Sequence, residues 1–289
     1  MQNPPTVAQC LRQAQTLGLA RVDAQMLLLH GLQRPLHDRA WLLAHDGDTL
    51  TTAQKTTWQN ALQRRLQGEP VAYITGRKDF FGLTLAVDAR VLDPRPDTET
   101  LVEWGLACLA ESTPTASATN GSPRVLDLGT GSGAVALALQ HARPDATVWA
   151  VDASEDALAV ARANATRLNL SVQFIASDWL SAVDVQRTGL YDLIVSNPPY
   201  VAEGDPHLAA LTHEPLQALT SGPDGLDDIR QIIAQAPACL APGGWLLLEH
   251  GWDQADPVQA LLREAGFEQV QSHRDLSGIA RCTGAAWPK

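Results

Sequence analysis

The stretch SNPPYVAEG, residues 196–204, follows the apolar run YDLIV. Prolines fix φ near −65° and restrict the residue before them, so the backbone from Asn197 to Tyr200 has little freedom. Such a stretch is either a tight turn after a buried strand or a rigid clamp for a planar NH2 group. A second cluster lies upstream in VLDLGTGSGAVALAL, residues 125–139. Gly129, Gly131 and Gly133, with Thr130 and Ser132 between them, fall in the turn between an apolar strand and a helix. Glycine is needed where backbone passes close to a ligand or takes up φ values that other residues resist. Asp152 ends the next apolar strand, placed to accept two ribose hydroxyls. Its other reading is a cap on the helix that starts at SEDALAV, for which Ser154 is the better candidate.

The glycine loop alone does not choose a cofactor. It satisfies the dinucleotide form G-x-G-x-x-A through Gly129, Gly131 and Ala134, and S-adenosylmethionine requires the same loop and carboxylate. Two features favour the second ligand. Asp127 precedes the glycines, where a carboxylate can hold the loop and face an ammonium but would repel a pyrophosphate. Asp178, at the end of the third strand in ASDWL, can accept from an adenine amino group. Trp179 beside it either stacks on that ring or packs into the core.

These residues need a frame that brings strand ends together. From Arg124 onward, strands alternate with helices. The expected strands are RVLDL, TVWAVD, VQFIAS, YDLIVS and GWLLLEH, with EQVQSH and ARCTGA closing the chain. Helical runs lie at AVALALQHAR, SEDALAVARANATRL and DDIRQIIAQAPACL. This is the α/β pattern of a doubly wound, mostly parallel sheet, whose ligands sit at the carboxyl ends of the strands near the switch in strand order. The first part of the chain differs. TVAQCLRQAQTLGL, opened by Thr6, then DAQMLLLHGL, RAWLLAHDG and TTAQKTTWQNALQRRLQG read as four short helices in a small bundle. Residues 80–92 alternate around Gly82 as a hairpin, and LDPRPDTETLVEWGLACL turns at Pro94 and Pro96 into a helix capped by Asp97 or Thr98. The expected organisation is a helical bundle over 1–75, a β-hairpin linker over 76–96, and the α/β domain over 97–289. ESTPTASATNGSP, residues 111–123, reads as a flexible surface loop.

Composition narrows the function classes. The chain has 289 residues and 45% hydrophobic content, enough for a full core. Cys10, Cys108, Cys239 and Cys282 form no CxxC pair, which fits a reduced, cytoplasmic setting. The eight histidines show no metal-ligand spacing, so no metal is expected. No signal peptide and no membrane-spanning run is apparent. The net charge of −11 is uneven: residues 1–75 carry 7 Lys+Arg against 5 Asp+Glu, and residues 76–289 carry 14 against 27. Direct nucleic-acid binding usually brings a basic stripe, and the larger part is the reverse.

In order and spacing, VLDLGTGSGAVALAL, VDAS, ASDWL and VSNPPYV resemble a class I S-adenosylmethionine methyltransferase, one that methylates an amino group conjugated to a planar system. The resemblance implies a Rossmann-like, seven-stranded, mostly parallel sheet. Two groups share NPPY: adenine-N6 methyltransferases of DNA or RNA, and protein glutamine methyltransferases. EPVAYITG, DFFGL, LDPRPDTETLVE, HEPLQAL and GGWLLLEHGWDQ resemble the release-factor glutamine methyltransferases. PRPDTE is the form associated with that group, whereas the sister enzyme of a ribosomal protein carries a serine–proline variant.

What this implies is N5 methylation of the glutamine in the Gly-Gly-Gln motif of class 1 peptide chain release factors, with S-adenosylhomocysteine as the other product. An amide nitrogen is a weak nucleophile, so positioning carries the reaction and can supply ~7–11 kcal/mol. The Asn197 side-chain oxygen and the Pro198 carbonyl would accept the two amide protons and favour the charge that develops on nitrogen. Tyr200 would cover one face. Asn197, Pro198 and Tyr200 are thus the expected catalytic residues. Asp127, Gly129, Thr130, Gly131, Ser132, Gly133, Asp152, Asp178, Trp179 and Asn197 would hold the cofactor. Pro199, Phe81, Arg95 and Glu214 join NPPY as expected substrate contacts. A monomer acting on a protein partner in the cytoplasm is expected. The competing readings are an adenine-N6 or ribosomal-protein enzyme, a nicotinamide-dependent oxidoreductase, and a non-catalytic binding module.

Overall fold

The structure, a computed structural model, describes residues 4–111 and 122–289. It divides into two compact units, Met1–Arg77 and Lys78–Lys289. The loop expected at 111–123 lies almost wholly outside the described residues.

The first unit is helical: α1 (Val7–Thr16), α2 (Arg21–Gly31), α3 (Arg39–Ala44), α4 (Thr52–Leu66) and α5 (Val71–Thr75). Thr6 and Thr51 each open a helix through a reciprocal capping box, with Gln9 and Gln54 as the third-position partners. Cys10, Leu27, Leu28, Leu42, Trp58 and Leu62 form the core. The fifth helix was not expected. At 5 residues it is too short to show a period. It ends where Gly76 takes a left-handed conformation at φ 69°.

A hairpin follows, β1 (Arg77–Phe80) and β2 (Leu83–Ala86), with Phe81 and Gly82 at its turn. Pairing stops at Ala86, short of the expected 80–92, because the chain turns at once: the Val91 N–H donates to the Asp88 carbonyl (3.1 Å). Asn164, fully buried, fastens this edge by donating to the Ala86 carbonyl (2.9 Å) and accepting from its N–H (2.7 Å). A short 3-10 turn, Pro96–Thr98, leads into α6 (Glu99–Glu111).

The main sheet contains β3 (Arg124–Leu128), β4 (Thr147–Asp152), β5 (Val172–Ala176), β6 (Tyr191–Ser196), β7 (Leu240–Glu249), β8 (Glu268–Arg274) and β9 (Ala280–Ala286). Its spatial order is β5-β4-β3-β6-β7-β9-β8. The first five are parallel in pairs, and β9 runs antiparallel to β7 and β8. Between them run α7 (Ala134–Ala142), α8 (Glu155–Leu168), the single turn α9 (Val185–Thr188), α10 (Asp227–Gln235) and α11 (Ala255–Glu264). All seven strands lie where the sequence pattern puts them. Short α9 and the amphipathic α11 were not foreseen. The apolar faces of α10 and α11, through Ile229, Ile232, Val258 and Leu262, cover one side of the sheet.

The order of strands reverses between β3 and β6. The chain steps outward from β3 through β4 to β5, then returns to the other side of β3. The glycine loop leaves β3, and Asn-Pro-Pro-Tyr leaves β6, so both lie at the carboxyl ends of neighbouring strands at the switch point. Leu128 and Ser196 are in register, and the Ser196 hydroxyl donates to the Leu128 carbonyl (2.8 Å).

Candidate active site

The glycine loop is held from below. Gly129, Gly131 and Gly133 have φ of 69°, 54° and 85°, so all three need a residue without a Cβ penalty. The Thr130 N–H donates to the Val151 carbonyl (2.9 Å), tying the loop to β4. Asp127 takes two bonds on Oδ2, from the Thr130 hydroxyl (2.7 Å) and the Ala136 N–H (3.1 Å). Burial pushes its pKa up to about 7, against the pull of those two donors. Asp152 accepts from the Gly131 N–H (2.9 Å) and the Ser154 N–H (2.9 Å), and burial raises its pKa also. Ser154, not Asp152, caps α8, by accepting from the Ala157 N–H (3.2 Å). Asn164 adds a strut the sequence did not mark: it donates to the Ser132 carbonyl (3.0 Å) while holding β2.

Two cavities meet at this loop. The larger, about 420 Å³, is lined by Asp152, Asp178, Trp179 and Pro199 among others, and the smaller, about 50 Å³, by Asp127, Thr98 and Asn197. Gly129 and Gly131 line both. The Trp179 ring lies over Gly129, where an added Cβ would meet it at 3.2 Å, and its indole N–H donates to Asp228 (3.1 Å). Trp179 therefore walls the cavity and packs on the core at once. A Cβ on Gly131 would meet nothing within 4 Å. The combination fits S-adenosylmethionine: open space beside a glycine backbone, a carboxylate for hydroxyls at one end, and a buried carboxylate at the other.

Asn-Pro-Pro-Tyr sits against the smaller cavity. The Asn197 Nδ2 donates to the Thr98 hydroxyl (3.2 Å), which turns Oδ1 the other way. Among the described residues, no hydrogen bond reaches Asn197 Oδ1 or the Pro198 carbonyl. Tyr200 is anchored on both sides: its N–H donates to the Leu219 carbonyl (3.2 Å), and its carbonyl accepts from Gln254 Nε2 (3.1 Å). Its hydroxyl donates to Glu249 Oε1 (3.4 Å). Burial and the Glu249 carboxylate raise the Tyr200 pKa, so the phenol stays neutral. Thr98, expected as a helix cap, instead lies within the 3-10 turn and serves Asn197.

Three expected substrate contacts, Glu214, Arg95 and Phe81, also make polar contacts within the chain. Glu214 does not face outward. Its side chain is 2% exposed and accepts from Arg95 (2.6 Å) and from the Asp93 N–H (3.3 Å). Arg95 also faces Asp93 at 3.7 Å, with Lys78 at 3.0 Å from the same carboxylate. This charged cluster pins the loop after Tyr200 to the segment before α6. Phe81 lines neither cavity. It is a hairpin-turn residue at φ 47° whose N–H donates to Glu99 (2.8 Å).

A Rossmann-like sheet with a glycine loop and Asn-Pro-Pro-Tyr at its switch point defines a class I methyltransferase. The methyltransferase small domain family matches residues 102–275, and the PrmC N-terminal domain matches residues 6–76. A release factor glutamine methyltransferase of Bordetella pertussis is 49% identical over 269 residues, covering 92% of this chain and 95% of that protein. One of Burkholderia pseudomallei is 44% identical over 295 residues, covering 99% and 98%. A methyltransferase from Pyrococcus furiosus shares the fold, with a TM-score of 0.53 at 19% identity, covering 80% of this chain and 100% of that one. The chain belongs to the release factor glutamine methyltransferase family.

Proposed function

We propose that this chain, as a monomer, methylates the side-chain amide nitrogen of the Gly-Gly-Gln glutamine in class 1 peptide chain release factors, in the cytoplasm. The observation that carries this is the position of Asn-Pro-Pro-Tyr. Two acceptors without hydrogen-bond partners among the described residues, Asn197 Oδ1 and the Pro198 carbonyl, stand beside the glycine loop in a chain of this family. S-adenosylmethionine, when bound, supplies an activated methyl group. Asp152 would hold its ribose hydroxyls, Asp178 and Trp179 its adenine, and Asp127 its ammonium end. The chain itself does the rest by positioning. Asn197 Oδ1 and the Pro198 carbonyl each accept one amide proton, which orients the nitrogen lone pair and favours the positive charge that develops there. Tyr200 covers one face of the planar amide. The acidic second unit disfavours a nucleic-acid substrate.

The test is transfer of labelled methyl from S-adenosylmethionine to a purified release factor. Labelling is expected with the wild-type factor and should vanish when the Gly-Gly-Gln glutamine is replaced. Equal labelling of that variant, or labelling of DNA or RNA instead, would refute the proposal.

A further inference from the structure

Glu249 ends β7, next to the strand that carries Asn-Pro-Pro-Tyr. It is 1% exposed, and its Oε2 has no hydrogen-bond partner among the described residues. A buried carboxylate oxygen left without a partner costs free energy, so a fold that keeps one there gains something from it. Glu249 lies behind the clamp. Oε1 accepts from the Tyr200 hydroxyl (3.4 Å), and the Thr98 hydroxyl favours its charged form. Thr98 in turn accepts from Asn197 Nδ2 (3.2 Å).

We propose that Glu249 is a positioning residue for methyl transfer, and that its charge sets which way the Asn197 amide points. As a carboxylate it can only accept. The Thr98 hydroxyl then turns its proton to Glu249 and its lone pair to Asn197. Asn197 must present its NH2 to Thr98, which leaves Oδ1 for the acceptor nitrogen. A protonated Glu249 becomes a donor, Thr98 can turn its proton to Asn197, and the amide is free to flip. A flipped amide would aim an NH2 at the NH2 of the substrate.

The surroundings permit this switch near neutrality. Burial raises the Glu249 pKa to about 7. The charges facing it are Arg281 of β9, which favours the carboxylate, and Asp97 of the 3-10 turn, which opposes it. These two pair with each other at 3.6 Å. Tyr200 and Cys282 both have raised pKa values and stay neutral, and adjacent His250 has a lowered one.

This inference rests on the proposed function, and the experiment separates the two. Rates are measured at saturating substrates from pH 5.5 to 8.5 for wild type, Glu249→Gln, Thr98→Val and the double variant. Wild-type kcat should fall toward acid with a limb near neutrality. At pH 8, Glu249→Gln should lose about 10- to 100-fold in kcat with the release-factor KM within about twofold, and should show no acid limb. Thr98→Val should match it, and the double variant should be no worse than either, because both break one chain. An unchanged limb in Glu249→Gln, or full additivity, would overturn the proposal. A second readout needs no turnover. In the free protein, the Asn197 side-chain NH2 resonances should shift as the Glu249 carboxyl carbon titrates, and static Asn197 resonances through that titration would also overturn it. A wild type that leaves the release factor unlabelled refutes the substrate assignment alone, and the resonance titration then decides for Glu249.

Discussion

Two glycines in one loop should fail in different ways when given a methyl group. Gly131 and Gly133 both have positive φ, at 54° and 85°. An L-residue there costs ~1–2 kcal/mol in strain, offset by ~0.4–1 kcal/mol because alanine restricts the unfolded chain. At Gly131 the new Cβ meets nothing within 4 Å, so strain is the whole cost to the fold. At Gly133 it meets Leu137 Cδ1 at 2.9 Å and the Ala161 Cβ at 3.3 Å, both in buried helices. Overpacking of that kind adds ~1–3 kcal/mol. Melting of Gly131→Ala should therefore fall by about 2–4 °C and that of Gly133→Ala by about 5–15 °C, for a unit of this size. Ligand affinity should rank the other way. The Gly131 Cβ projects into space that a bound nucleoside would fill, and an intruding methyl worth ~1–3 kcal/mol weakens binding about 5- to 150-fold. Differential scanning fluorimetry gives the first ranking, and calorimetric titration with S-adenosylhomocysteine the second. A Gly131→Ala protein that binds as tightly as wild type, or melts as low as Gly133→Ala, would refute this assignment of the loop.

Three further outcomes are expected. Asn197→Ala should lower kcat by roughly 10²- to 10³-fold, read by labelled-methyl transfer, while its melting point stays near that of wild type. Arg95→Ala leaves the Glu214 carboxylate buried without its strongest partner; because Arg95 is itself 34% exposed, the cost should be about 1–3 kcal/mol rather than that of a fully buried pair, seen as faster amide exchange in residues 201–222. Burial raises the folded-state pKa of Asp127 to about 7 from the ordinary aspartate value of 3.8. Its contribution to stability is therefore present below about pH 4 and lost as pH rises through 7; Asp127→Asn should flatten that decline in denaturant unfolding of the ligand-free protein by roughly 4 kcal/mol, and an unchanged slope would count against the buried carboxyl.

Much of the fold was legible because parallel strands buried on both faces read as short apolar runs between helical periods. All seven strands of the main sheet, the capping threonines and the glycine loop follow from local pattern. The elements missed were those with weak local signals. Helix α5 is one turn and a half, and α9 a single turn. The hairpin ended early because Asp88 and Arg90 close a turn that alternation of apolar residues does not report. At the site, Asn197, Asp152 and Asp127 were recognisable because a strand end announces each one. Thr98, Asn164, Asp228 and Glu249 were not, since each acts through a partner between 32 and 151 residues away in sequence, visible only once the sheet is folded. Arg95 and Glu214 were marked as substrate contacts, and the structure pairs them with each other. A charged pair in a loop reads the same in sequence whether it meets a partner protein or, as here, itself.

That distinction bears on what Asn-Pro-Pro-Tyr is. Two prolines fix the path of the backbone, and so the direction of the Pro198 carbonyl, but they do not fix the Asn197 side chain. A side-chain amide has two nearly isosteric orientations, and only one presents an acceptor to the substrate nitrogen. Something outside the tetrapeptide must break that symmetry. In this chain the Thr98 hydroxyl does so directly, and the carboxylate behind it decides which face Thr98 shows. The turn Pro96–Thr98 and the end of β7 are therefore parts of the clamp as much as the tetrapeptide itself. The PRPDTE and EHG stretches, far apart in sequence, meet Asn-Pro-Pro-Tyr for that reason: each supplies one hydrogen-bonding group to a network that gives the amide of Asn197 a single direction.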